Sequence, residues 1–132
     1  MLVGARPDSA TYVRMKKKAA AEVGFFSVDV TLDEDATQET VLQAVQTLNS
    51  RRDIHGILVQ LPLPAHIDEH KVLKSILVSK DVDGFSAENI GNLALKGGDP
   101  PLAVPCTPAG YVRIYVFSYL TAWQMCRTAP AV

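Results

Sequence analysis

Cysteine is scarce in this chain of 132 residues. Neither Cys106 nor Cys126 has a second cysteine or a histidine at ligand spacing, which excludes a disulfide framework and a metal site of the zinc type. That pattern points to a reducing compartment, the cytoplasm. An excess of either charge is lacking too. Thirteen Lys and Arg stand against 14 Asp and Glu, leaving a net charge of −1, so neither nucleic acid nor an anionic membrane has a basic footprint to bind. Long hydrophobic runs are missing. The longest apolar-rich stretch, residues 111–126, contains Arg113 and falls short of the roughly 20 residues that a membrane span needs. The opening MLVGARPDS has no apolar signal core and no Arg/Ser-rich transit pattern, which leaves a mitochondrial or plastid address open only outside this stretch. None of the eight glycines builds a phosphate-cradling loop between a strand and a helix.

What is present is a 48% apolar composition, enough for one globular domain with a real core. Leu2-Val3-Gly4 reads as the tail of a buried strand. Asp8 or Ser9 is placed to cap a helix that ends at Gly24. Residues 27–32 alternate as a half-buried strand, and Val41, Leu42, Val45 and Leu48 recur at helical spacing between Thr37 and Asn49. Residues 56–61, GILVQL, form an apolar run of the kind seen in parallel strands covered on both faces, stopped by Pro62-Leu63-Pro64. A short amphipathic helix over 67–76, a loop over 80–84, a helical turn over 89–95 and an extended piece over 102–104 follow. Thr107 then caps a helix with Pro108 as its first residue. The order β-α-β-α-β-α predicts an α/β fold: an open three-layer αβα sheet, mostly parallel and incomplete at both ends, binding its ligand beyond the carboxyl ends of the strands. After Gly110, β-branched and aromatic residues dominate with neither a clean period of 2 nor one of 3.6, in conflict with the helix start just before them.

Three consecutive lysines, Lys16, Lys17 and Lys18, pose the sharpest question. At about 100° per residue, Tyr12, Met15, Lys16, Ala19 and Val23 share one helix face, while Lys17 and Lys18 turn away to water. Lys16 is therefore expected to project with the buried face, where a lysine must either snorkel to water or enter a polar pocket. Gln60, the sole polar residue of residues 56–61, stands at the strand end where ligands bind, and its amide needs partners. The three histidines read as surface or capping residues, and Asp83 in its Asp-Val-Asp-Gly loop reads as a turn residue.

Together, YVRMK (12–16 within it), GILVQLPLP (56–64), KDVDGF (80–85), NIGNLAL (89–95) and VPCTPAG (104–110) resemble the bifunctional methylenetetrahydrofolate dehydrogenase/methenyltetrahydrofolate cyclohydrolase family over residues 2–110. The resemblance implies NADP-dependent (or NAD-dependent) oxidation of 5,10-methylenetetrahydrofolate to 5,10-methenyltetrahydrofolate, then hydrolysis to 10-formyltetrahydrofolate. It implies that Lys16 is the catalytic lysine, that Tyr12 packs on the folate and helps orient Lys16, and that Gln60 hydrogen-bonds and tunes the lysine. Leu61 and Pro62 belong to the same substrate site. Asp83 is implied to grip the pterin, two carboxylate oxygens against two N–H donors. The family forms homodimers, which implies a homodimer here or association with a full-length member.

Beyond Gly110 the resemblance stops. The family's dinucleotide-binding Rossmann half, with its glycine-bearing cofactor loop, finds no counterpart in this sequence. Residues 1–110 are expected to form the catalytic domain, lacking its start, and residues 111–132 a tail foreign to the family. Dehydrogenase activity is then expected to be impaired in the chain alone. A non-catalytic folate-binding or dimer-interacting module is the alternative.

Overall fold

A computed structural model describes residues 1–128, with side chains as far as Tyr119. The strands β1 (Leu2–Val3) and β2 (Thr31–Leu32) flank helix α1 (Pro7–Glu22) in sequence and pair in parallel, Leu2 with Thr31 and Val3 with Leu32. Leu2 N–H donates to Val30 O and Gly4 N–H to Leu32 O, each at 2.9 Å. On the other edge of β1 the Met1 amine donates to Leu58 O at 2.6 Å and Gln60 N–H to Met1 O at 2.9 Å, again in the parallel pattern. Beyond that, Ile57 bridges Asp81 in parallel, with Ile57 N–H donating to Lys80 O at 2.8 Å. Beyond the two-stranded sheet of β2 and β1, main-chain hydrogen bonds run on in order to residues 57–60 and then 80–81. This is the parallel α/β arrangement anticipated from the order of elements, made with few ladder bonds. Of the other expected strands, residues 27–30 and 102–104 form none, and residues 56–61 contribute only the isolated bridge at Ile57 and main-chain hydrogen bonds to Met1.

Helices α2 (Gln38–Ser50) and α3 (Glu69–Lys74) cover one face. Thr37 caps α2 by accepting from Thr40 N–H at 3.2 Å, and Asp68 caps α3 by accepting from Lys71 N–H at 3.1 Å. Val41, Val45 and Leu48 of α2 meet Val72 of α3, Ile57, Val59 and Val3 in a single core. Strand alternation sends Leu58 and Gln60 to the opposite face, where α1 lies, and this gives three layers. That outer layer is thin. Residues 56–61 are covered unequally, with Ile57 and Val59 buried and Leu58 only half-buried.

The start of α1 also departs from expectation. Arg6 occupies the cap position without a side-chain cap, Pro7 opens the helix, and Asp8 pairs instead with the Arg6 guanidinium at 2.9 Å. Proline suits that first position, where no N–H is needed. The carboxyl end of α2 is closed by a distant residue. Lys80 Nζ donates to the carbonyls of Leu48 (3.1 Å), Asn49 (2.7 Å) and Arg51 (2.7 Å). Lys80→Met removes all three donors and is expected to lower stability by about 2 kcal/mol in urea unfolding.

Helix α4 (Ala87–Ala94) is capped by Ser86, and α5 (Cys106–Thr128) continues through Gly110 without a break. The conflict read after Gly110 resolves in favour of helix, because β-branched and aromatic residues cost only a few tenths of a kcal/mol each once a helix has started. Its first turn begins one residue before the Thr107 cap expected from the sequence, with Ala109 N–H donating to Pro105 O at 3.2 Å. The apolar side chains from Tyr111 to Tyr119 are exposed. Residues 129–132, and the side chains of 120–128 with Cys126 among them, lie outside the described residues.

Candidate active site

The amino-terminal turns of α1, the strand end at Gln60 and the start of α5 enclose a cleft of about 300 Å³ lined by Asp8, Ser9, Tyr12, Lys16, Gln60, Leu61 and Thr107. Lys16 Nζ donates to Gln60 Oε1 at 3.2 Å, and Gln60 Nε2 donates to Leu61 O at 2.8 Å. The glutamine is thereby held with its oxygen toward the ammonium. Pro62, joined to Leu61 by a cis peptide bond, lies just beyond the lining and is exposed. Leu63 N–H donates to Glu69 Oε1 at 2.7 Å, fixing the Pro-Leu-Pro turn behind the cleft.

Burial of Lys16 is the expectation that fails. Lys16 is exposed, as are Tyr12 (63%) and Met15 (64%) on the same flank, and Ser9 is the buried residue of α1. The reason is geometric: α1 leans on the two residues of β1, so the stripe that includes Lys16 faces the open cleft. The Lys16 ammonium instead snorkels along that flank to the Gln60 amide at the cleft wall. Lys17 turns away, as its wheel position requires, to pair with Asp29 at 2.5 Å.

Asp83 does not line the cleft, yet its charge is felt there. Burial pushes its carboxyl above the ordinary carboxylate range; Lys16 pulls it back, Asp81 adds to the rise and the Met1 ammonium opposes it. Burial lowers the Met1 amine in turn, with Asp29 opposing, Lys16 assisting and Asp83 opposing. Lys16 and Asp83 are thus near enough to feel each other's charge.

The turn chemistry expected of Asp83 belongs to Asp81. Buried Asp81 accepts from Gly84 N–H at 3.0 Å and from Ser86 N–H at 2.7 Å, so the loop closes around it and Asp83 stays free of turn duty. Asn89, 2% exposed, supports the same loop. Sequence reading missed the place at the cleft of Asp8, Ser9 and Thr107, which it read only as cap candidates, and the roles of Asp81 and Asn89. For Asp81 a signal existed, an aspartate three residues before a glycine. For Asn89 the partner Ala103, 14 residues on, lies beyond the reach of a local pattern. Of the histidines, His66 Nε2 hydrogen-bonds Ala36 O at 2.9 Å, while His55 and His70 are exposed.

A parallel α/β domain with a lysine–amide pair at the carboxyl end of its strands is the class that this geometry defines. Residues 1–83 match the family model for the tetrahydrofolate dehydrogenase/cyclohydrolase catalytic domain, and the chain belongs to that family. It is 54% identical over 114 residues to the bifunctional protein FolD 4, chloroplastic, of Arabidopsis thaliana, covering 86% of this chain and 31% of that protein. It is 54% identical over 112 residues to the cytoplasmic C-1-tetrahydrofolate synthase of Saccharomyces cerevisiae, covering 85% of this chain and 12% of that one. The crystal structure of the Trypanosoma brucei methylenetetrahydrofolate dehydrogenase-cyclohydrolase, complexed with NADP cofactor and inhibitor, superposes with a TM-score of 0.84 at 41% identity, over 89% of this chain and 39% of that one. The chain thus spans well under half the length of these relatives. Their compartments differ, and among the described residues no helix is long and apolar enough to cross a membrane.

Proposed function

We propose that this chain is the folate-binding catalytic part of a methylenetetrahydrofolate dehydrogenase/cyclohydrolase, acting in one-carbon metabolism on 5,10-methylenetetrahydrofolate and its methenyl product. The observation that carries the reading is the Lys16 Nζ to Gln60 Oε1 contact of 3.2 Å in a cleft that Tyr12 and Leu61 also line. Tyr12 offers a ring for the folate's aromatic portion, Leu61 and Pro62 a wall, and Asp83 two acceptor oxygens for the pterin's N–H edge. In hydrolysis, water adds to the methenyl carbon, the bond to one ring nitrogen opens, and one proton is released overall. Lys16 is assigned to move protons between that water and the departing nitrogen while Gln60 holds its Nζ in place.

NADP is the family's cofactor. Among the described residues, Gly4, the glycine between β1 and α1, has Glu34 packed against it, with Glu34 Cβ 3.6 Å from where a Cβ would stand, so that this turn does not offer an open cradle for a pyrophosphate. No step through the nicotinamide is therefore derived. We assign residues 1–110 to the catalytic unit and 111–132 to a tail foreign to the family in sequence, although α5 runs across Gly110 without a break. The cytoplasm is the compartment proposed, on the sparse cysteine content.

Purified chain is expected to hydrolyse methenyltetrahydrofolate about 100-fold faster than Lys16→Ala, the usual size of a proton-transfer contribution, followed by loss of methenyl absorbance. It is expected to show no NADP-dependent oxidation above that variant. Equal hydrolysis by the two proteins sinks the catalytic reading. A second reading, a non-catalytic folate-binding or dimer-interacting module, is favoured by the exposed Tyr111, Ile114 and Tyr115 of α5. Co-elution with a full-length family enzyme supports it, and a monodisperse monomer in that mixture counts against it.

A further inference from the structure

We propose that Asn89 is a positioning residue for this site: by tying Gly84 to Ala103 it fixes where the Asp83 carboxylate stands relative to Lys16. The proposal rests on the reading of Asp83 as the pterin-binding acid. Asn89 sits in the first turn of α4, yet its side chain serves two separate stretches of chain. Its Nδ2 donates to Gly84 O at 3.3 Å and to Ala103 O at 2.5 Å, and its Oδ1 accepts from Ala103 N–H at 3.0 Å. Both donor directions and the acceptor are used by backbone, in a site 2% exposed.

One tethered stretch adjoins Asp83 and the other leads to the cleft. Gly84 follows Asp83 directly. Ala103 leads through Pro105 into α5, whose Thr107 lines the cleft with Lys16 and Gln60. Asp81 grips the same loop from its other end through Gly84 N–H and Ser86 N–H. With Gly84 held at its N–H by Asp81 and at its carbonyl by Asn89, the peptide carrying Asp83 has little freedom to rotate. A residue that merely capped α4 would need none of these contacts, and Ser86 already performs that role by accepting from Asn89 N–H at 3.2 Å.

The test follows the Asp83 carboxyl by carbon NMR through a pH titration of the intact chain, wild type and Asn89→Ala, with calorimetric binding of tetrahydrofolate beside it. In Asn89→Ala the Asp83 midpoint is expected to fall toward the ordinary carboxylate range as the loop opens to water, and tetrahydrofolate binding to weaken about tenfold, one hydrogen bond's worth of positioning. The signal must be separated from that of Asp81, and Lys16 and the Met1 amine are the cations that face Asp83. A lower urea midpoint with the Asp83 titration unchanged marks a structural role alone and overturns the proposal. If wild type fails to bind tetrahydrofolate while the Asp83 midpoint still moves in Asn89→Ala, positioning stands and the pterin reading falls. Should Asn89→Ala not fold, the wild-type protein decides: the Asn89 side-chain amide resonances are expected to follow the Asp83 midpoint, and signals flat across it overturn the proposal.

Discussion

Asp83→Asn is expected to weaken tetrahydrofolate binding by about 10- to 100-fold, and yet to make the chain harder to unfold at pH 7. The binding loss follows from exchanging a charge-assisted pair of hydrogen bonds, worth about 1.5–3 kcal/mol, for an amide that presents one acceptor and one ill-matched donor. The gain in stability follows from the direction of the shift. Burial raises the Asp83 carboxyl above its ordinary value of 3.8, so the folded chain holds that proton more tightly than the unfolded one does. Below pH 3.8 the carboxyl is neutral in both states and imposes no penalty. As pH rises from there through the folded midpoint, the folded state must ionise a half-buried group and stability falls, to level off above that midpoint. Urea midpoints of variant and wild type are therefore expected to coincide near pH 3 and to separate between 3.8 and the folded value, with the variant higher. Lys16 and the Met1 ammonium reduce the separation without reversing it, because burial is the largest influence. A gap that does not grow with pH contradicts the burial of Asp83.

Gly84→Ala is expected to destabilise the fold by about 3 kcal/mol. Gly84 has φ +70, a left-handed backbone that costs an L side chain roughly 1–2 kcal/mol. A Cβ there would also stand 2.8 Å from Asn89 Nδ2 and 2.9 Å from Ala103 O, contacts that force the Asn89 bridge apart at a further 1–3 kcal/mol or so. Gly91, inside α4 with nothing within 4 Å of its would-be Cβ, is the control. Gly91→Ala is expected to be neutral or to stabilise by up to about 1 kcal/mol. Urea unfolding of the two variants side by side checks both, and equal effects contradict the close packing around Gly84.

Legibility followed the range of the interactions. Helix α2 was readable almost to the residue, because its Thr37 cap and its Val41, Val45 and Leu48 stripe are local features that the packing keeps. The Lys16 and Gln60 partnership was readable because each is a polar residue on an otherwise apolar face, and such groups must find one another or a ligand. The exposure of Lys16 was not, since a helical wheel says which side chains share a face but not what covers that face. The extent of α5 was hidden by a residue pattern that suits neither period. The turn over 80–84 was located correctly, but the turn duty read for Asp83 falls to Asp81, which binds the loop through Gly84 N–H and Ser86 N–H. Asn89 and Lys80 escaped because their partners lie tens of residues away in sequence or across a loop, and only folding brings those carbonyls to them.

Gln60 cannot turn over without loss. With its N–H given to the Leu61 carbonyl and its oxygen taken by Lys16, a flipped amide would face one carbonyl with another and an ammonium with a donor. Polarity along this short relay consequently runs one way, from the ammonium through the amide to the main chain before Pro62. Each link polarises the next, so the orientation of the Lys16 ammonium is tied, through one amide, to the main chain that leads into the Leu-Pro-Leu-Pro turn.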